Sequence, residues 1–192
     1  MWLDEITGDD REAKITSTET DASKYTPALN NNEFANNQTT VNEIEWFTLS
    51  NDEWNHLLNR TDADENKKYG VATVYGVNGL IFLPDDWEDP DGVKKIERGV
   101  ADNYGAEYAT KNDYTADDWA KLEKNGAVFL PACGYRYGTG VYVVAEYGYY
   151  WSSTACDSDR AYFLDFGSDD AGWDRYYHYW GFAVRLVRVL QN

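Results

Sequence analysis

Apolar residues recur with two different periods along this chain. In SNDEWNHLLNR, Trp54, Leu57 and Leu58 fall on one side of a helical period, and Ser50 and Glu53 stand in capping-box spacing, which predicts a short amphipathic helix. TADDWAKLEKNG repeats the pattern: Thr115 caps, Asp118 takes the third helical position, and Trp119 and Leu122 turn inward. Between the two, YGVATVYGVNGLIFLP predicts strand, turn, strand, with Asn78-Gly79 as the turn. DDWEDPDG is a predicted loop, residues 93–113 are polar without a clear period, and AVFLP predicts another strand. VYVVAEYGYYWSS, AYFLDF and GFAVRLVRV carry the β-branched and aromatic enrichment of paired strands. They are separated by two predicted loops, 154–160 and 167–180.

The echo between SNDEWNHLL and TADDWAKLE, and between NGLIFLP and NGAVFLP, comes at unequal intervals, about 65 and 47 residues, so it is one local solution used twice and not a tandem array. Residues 1–45 are polar and acidic and end in NNNEFANNQTTVNE, which reads as an arm or loop-rich extension. The character changes at Trp46. Residues 46–192 are therefore expected to form one domain.

Charge narrows the function. Against 34 acidic residues stand 17 basic ones, a net charge of -17, which repels phosphate backbones and anionic membranes and argues against nucleic-acid partners. No apolar run is long enough to predict membrane insertion, and the start, MWLDEITGDD, lacks the basic-then-apolar pattern of a secretory signal. Aromatic residues make up 16% of the chain, with 8 Trp and 16 Tyr, a composition that suits strands and contact surfaces.

Candidate chemistry is sparse. Cys133 and Cys156 are too few for a disulfide framework; Cys133 reads as a small buried residue and Cys156 as a loop thiol. His56 and His178 cannot supply a three-histidine metal site. No GxSxG elbow, Walker loop or GxGxxG stretch occurs, so no enzyme activity and no cofactor are expected. DDWEDPDG offers Asp89 and Asp91 to a calcium loop, but Trp87 and Arg98 fall where the first and last ligands belong, which leaves room only for a structural calcium in the acidic loops. Arg136 and Arg185 are expected to pair with carboxylates and fix loops against the sheet, and Trp54, Trp119 and Trp151 read as core.

Four ordered motifs, NGAVFLPACGYR, YYWSST, AYFLDF and GFAVRLV, resemble the C-type-lectin-like domains of the major-paralogous-domain type. That fold is shared by formylglycine-generating enzymes and by variable proteins of diversity-generating retroelements. The resemblance spans roughly residues 46–190 and implies an α+β fold, two helices packed on a twisted antiparallel sheet with long loops. In retroelement-diversified relatives the ligand surface lies between the WSS motif and the GF-V-RLV strand, here 155–180. The stretches ACDSDR and SDDAG-DRYYHY draw mostly on residues reachable by varying the adenines of an Asn codon, although Trp173 does not. Loops and recognition sites favour the same residues, so both origins stay open. Enzymatic relatives need a close cysteine pair or a histidine cluster, and neither is present.

The stretch Trp173–Trp180, WDRYYHYW, fits a recognition surface. As core it would bury Asp174 and Arg175, and as an exposed patch without purpose it would invite aggregation. Rigid amphipathic rings give contact area at low entropic cost. The expected ligand-binding residues are therefore Trp173, Asp174, Arg175, Tyr176, Tyr177, His178 and Trp180. Asp157, Asp159, Arg160, Asp165, Asp169 and Asp170 are expected to add charge complementarity. The expected partner is a protein or carbohydrate ligand, met from a bacterial cell surface or a phage virion. The alternatives are a structural surface or phage-tail module and an enzyme of the same superfold.

Overall fold

The computed structural model describes residues 39–41, 44–101 and 105–188, and the rest of the expected arm lies outside the described residues. The chain is a mixed α+β protein built mostly of β strands. Its centre is a four-stranded sheet ordered β5-β3-β4-β6, formed by β3 (Tyr69–Val74), β4 (Val77–Phe82), β5 (Asp113–Tyr114) and β6 (Val128–Pro131). β3 and β5 run parallel while the other neighbours are antiparallel, so this sheet is mixed where a purely antiparallel one was expected.

Every residue of β3 is buried, because both faces of the sheet are covered. α1 spans Asn51–Asn59 and α2 Ala116–Lys124; one face of the sheet sends Ala72, Val74 and Ile81 into a cluster with Trp119 and Leu122 of α2. The other sends Tyr69, Val71, Leu80 and Phe82 against Trp54 and Leu58 of α1. The same second cluster takes Tyr150, Leu164 and Phe166 from a second sheet. Both helices begin with the expected capping boxes, Ser50 with Glu53 and Thr115 with Asp118. Asn112, fully buried, spends its amide on the carbonyls of Val71 and Glu97 and accepts from the Glu97 N–H and the Tyr114 hydroxyl.

The second sheet runs β9-β10-β11: β9 (Gly148–Ala155), β10 (Arg160–Phe166) and β11 (Ala171–Tyr177). A small hairpin, β7 (Tyr135–Tyr137) with β8 (Gly140–Tyr142), stands beside it. β1 (Thr39–Val41) pairs with β2 (Ile44–Thr48), and β2 pairs with β12 (Leu186–Val187), so ordered strand begins ahead of Trp46, inside the segment read as loop.

Four local expectations need correction. The β3–β4 turn is Tyr75-Gly76, with φ of 49° and 78°, and Asn78-Gly79 lies inside β4. An Asn78-Gly79 turn would set Tyr69–Val74 opposite the Pro- and Asp-containing residues 83–88, whereas Val74 opposite Val77 pairs them with the apolar run to Phe82. VYVVAEYGYYWSS is not one strand: the chain turns over residues 143–147 between β8 and β9, with Val143 and Ala145 at positive φ. GFAVRLVRV is not a continuous strand. It is held by single bridges, Gly181 to Arg136 and Ala183 to Tyr150, before the two residues of β12. Finally, half of the predicted loop 167–180 is strand, since Ala171–Tyr177 zips onto β10 without a bulge.

Candidate functional site

Pairing with β10 decides which way each residue of WDRYYHYW faces. Trp173, Arg175 and Tyr177 stand opposite Leu164, Tyr162 and Arg160, while Asp174 and Tyr176 stand opposite Phe163 and Ala161. Adjacent partners share a face, so the rings divide between the two sides of the sheet. On the first side Trp173 meets Tyr162 edge-on, centroids 5.6 Å apart. On the second, Tyr176 packs against Trp180 at 4.5 Å.

Behind Tyr176 the rings form a continuous network. Trp180 contacts Tyr135 at 4.6 Å and Tyr137 at 4.9 Å, and Tyr135 stacks on Tyr142 at 5.4 Å. Phe182 lies against Trp151, Phe163 and Tyr149. Trp151 is therefore half-buried within this second aromatic layer and is not part of the main core. Such rings supply contact area beyond what their own burial requires, and their mutual contacts fix their orientation. Tyr176 and Tyr177 end this network at the surface, with 38% and 40% exposure, and Trp173 is 46% exposed on the other side of the sheet. Tyr142 and Val141 of the β7–β8 hairpin are also exposed, a part of this surface that the chain order hides because it lies outside 155–180.

The acidic candidates fall into three situations. Asp157 closes the β9–β10 turn: its carboxylate receives Arg160 Nη2 at 2.6 Å and Nε at 2.9 Å, and the Asp159 and Arg160 N–H groups at 3.0 and 2.9 Å. These hydrogen bonds, led by the Arg160 side chain, hold the Asp157 carboxyl below its usual range. The pair is a structural clamp, and both residues are committed to each other. The predicted loop 154–160 shrinks to Cys156–Asp159, with Cys156 half-buried.

Asp169 and Asp170 form the β10–β11 turn. Asp169 accepts the Gly105 N–H at 3.1 Å, and burial followed by the neighbouring Asp169 charge raises the Asp170 carboxyl. Beside them opens a cleft of about 450 Å³ lined by Tyr108, Glu146, Tyr147 and Asp169. Asp165 sits within β10, facing Tyr149 of β9 and Gly172 of β11. Burial first, then the charges of Asp170 and Asp174, push its carboxyl up to about 6. Burial and the Asp165 charge in turn push the Tyr149 hydroxyl up to about 12.

His178 follows β11, and its N–H donates to the Asp159 carbonyl at 2.9 Å, fastening the two turns together. Burial lowers its imidazole against the opposing pull of the Arg160 backbone and of Asp157 and Asp159. The structure thus gathers Trp173, Asp174, Arg175, Tyr176 and Tyr177 on one exposed strand, with Trp180 and His178 bracing it from behind. Among the described residues, no group of three or more His, Cys, Asp or Glu is placed to hold a metal ion. Arg136 and Arg185 form no ion pair with a described residue. Arg136 acts through its backbone, exchanging hydrogen bonds with Gly181 at 2.8 Å in both directions. Among the described residues no helix is long and apolar enough to cross a membrane.

A family model described as a domain of unknown function (DUF8237) matches residues 105–187. That span runs from the turn ahead of Tyr108 to β12 and contains the whole β9–β10–β11 sheet and the β7–β8 hairpin. No curated protein and no solved structure matches the chain.

Proposed function

We propose that this chain is a C-type-lectin-like recognition module that binds its ligand without covalent chemistry, through β11 and the aromatic layer behind it. One observation carries the reading. Five consecutive strand residues, Trp173–Tyr177, are all exposed, while the rings behind Tyr176 are locked into a half-buried network. A strand that only completed a sheet would show alternating burial; this one offers side chains on both of its sides. Trp, Tyr and Arg are the residue types that dominate binding energy at interfaces. The motif resemblance adds a location, since relatives of that type present ligand surfaces in the corresponding segment. Display at a bacterial surface or on a phage particle would follow from it, as would retroelement diversification of outward-facing positions.

The test is to pass the full chain over a glycan array and a displayed random-peptide library, beside a Trp173→Ser/Tyr176→Ser/Tyr177→Ser variant. Ligands retained by the parent and lost by the variant, with unchanged circular dichroism, support the reading. Ligands held equally by both would move the site elsewhere on the molecule.

A further inference from the structure

We propose that the outer edge of β11 receives an extended segment of a basic polypeptide as an added strand; this rests on the recognition reading above and names its partner. Among the described residues β11 is the last strand of its sheet, with β10 on one side and no strand on the other. The phase of the ladder can be read from its two ends. The Gly167 N–H donates to the Asp170 carbonyl at 3.0 Å, and the His178 N–H donates to the Asp159 carbonyl at 2.9 Å. Hydrogen-bonded and non-hydrogen-bonded pairs alternate between these ends, so Gly172, Asp174 and Tyr176 bond to β10. Trp173, Arg175 and Tyr177 then direct their N–H and C=O groups away from the sheet. An independent contact agrees: the Arg175 N–H donates to Asp174 Oδ1 at 2.7 Å.

Proteins protect long edges with Lys, Pro, bulges or a covering element. Across Ala171–Tyr177 there is no Lys, no Pro and no break in register. Two modest contacts occupy the edge, the Asp174 carboxylate on the Arg175 N–H and the Trp180 N–H on the Tyr177 carbonyl. The Trp173 and Arg175 carbonyls and the Trp173 N–H point outward beside exposed rings and have no partner among the described residues. Such donor and acceptor sets recur every second residue, roughly 7 Å apart, a spacing that another polypeptide backbone reproduces.

Charge selects the partner. Asp174 lies on the strand, Asp170 and Asp159 flank its two ends, Asp165 sits on the neighbouring β10, Arg160 is committed to Asp157, and Arg175 is the remaining cation on the strand. The whole chain carries -17. A second copy is therefore a poor occupant: it brings the same charge, and pairing two copies about Asp174 or Arg175 sets like charges opposite each other. A basic segment with Lys or Arg opposite Asp174 and apolar or aromatic residues opposite Trp173 and Tyr177 fits both sides of the edge.

The experiment uses peptides selected by the full chain from the displayed random library. Strand addition predicts Lys- or Arg-containing sequences with alternating apolar positions. Arg175→Pro removes an outward N–H that Asp174 must yield to the incoming strand, without touching the β10 ladder, and should weaken these peptides at least about tenfold, whereas Arg175→Ala should have far less effect. N-methylation along the peptide should abolish binding at every second residue, and this readout stands even if the proline variant does not fold. Uniform sensitivity to N-methylation, full binding by a folded Arg175→Pro chain, or selection of acidic peptides would each overturn the proposal. So would a dimer by light scattering that Arg175→Pro dissolves. A glycan lost by the ring variant but held by Arg175→Pro would overturn strand addition and leave recognition by this surface intact. Failure of the ring variant to affect any ligand would remove both.

Discussion

Among single residues, Asp165 is the most informative about how the surface responds to its medium. Its carboxyl sits half-buried in β10 and is pushed up to about 6, chiefly by burial and then by Asp170 and Asp174. Because the folded chain favours the protonated form, its contribution to stability is complete below the unfolded value near 4 and is lost as pH rises through about 6. Asp165→Asn keeps the shape and cannot ionise. The melting temperature of the parent should therefore drop relative to that variant between about pH 4 and pH 6.5, and the gap should stay constant at higher pH. Calorimetry of both proteins across that range checks it, and a constant difference at all pH values would show that Asp165 ionises as an exposed carboxylate does. Asp157 has the opposite sign: its clamp with Arg160 is complete above the usual carboxylate range and weakens only in acid. The two effects separate cleanly along the pH axis.

At the level of elements, the helices were legible because each carries its own start signal and a one-sided apolar stripe. Strand existence was legible too, from β-branched and aromatic runs, but strand direction and turn position were not. Turn chemistry pointed to Asn78-Gly79, yet pairing of Tyr69–Val74 with Val77–Phe82 fixed the turn three residues earlier. Similarly, the aromatic density of WDRYYHYW hid a strand, because exposed positions on an edge need not alternate in polarity. The exposure of Trp173–Tyr177 was legible from their composition, whereas the neighbouring Tyr142 and Tyr135 depend on the β7–β8 hairpin folding back across more than thirty residues of chain. The Tyr75-Gly76 turn yields a direct prediction. Tyr75 is exposed and held at φ 49°, a left-handed conformation that Asn adopts at lower cost. Tyr75→Asn should stabilise the fold by about 0.5–1 kcal/mol, visible as a higher urea midpoint with an unchanged slope. A lower midpoint would mean that the Tyr75 ring packs on a neighbour more strongly than its exposure indicates.

For the molecule as a whole, net charge sets two consequences of opposite sign. A chain at -17 is pushed apart by its own field, and the ion pairs among the described residues, such as Arg60 with Asp85 and Lys94 with Glu97, lie at least partly in solvent where they offset little of it. Added salt shortens the screening length from about 10 Å at 0.1 M to about 3 Å at 1 M. The melting temperature should therefore rise as a non-denaturing salt is increased over that range. Binding of a basic segment at β11 should weaken over the same range, mainly through a slower association rate, because steering by the molecule's negative charge is screened. Measuring both quantities in one salt series distinguishes this electrostatic account from a purely apolar one. If the surface worked by ring burial alone, salt would leave binding unchanged or strengthen it while the fold still grew more stable. Opposite trends in the two curves require the charge on the folded molecule and the charge on its ligand to differ in sign.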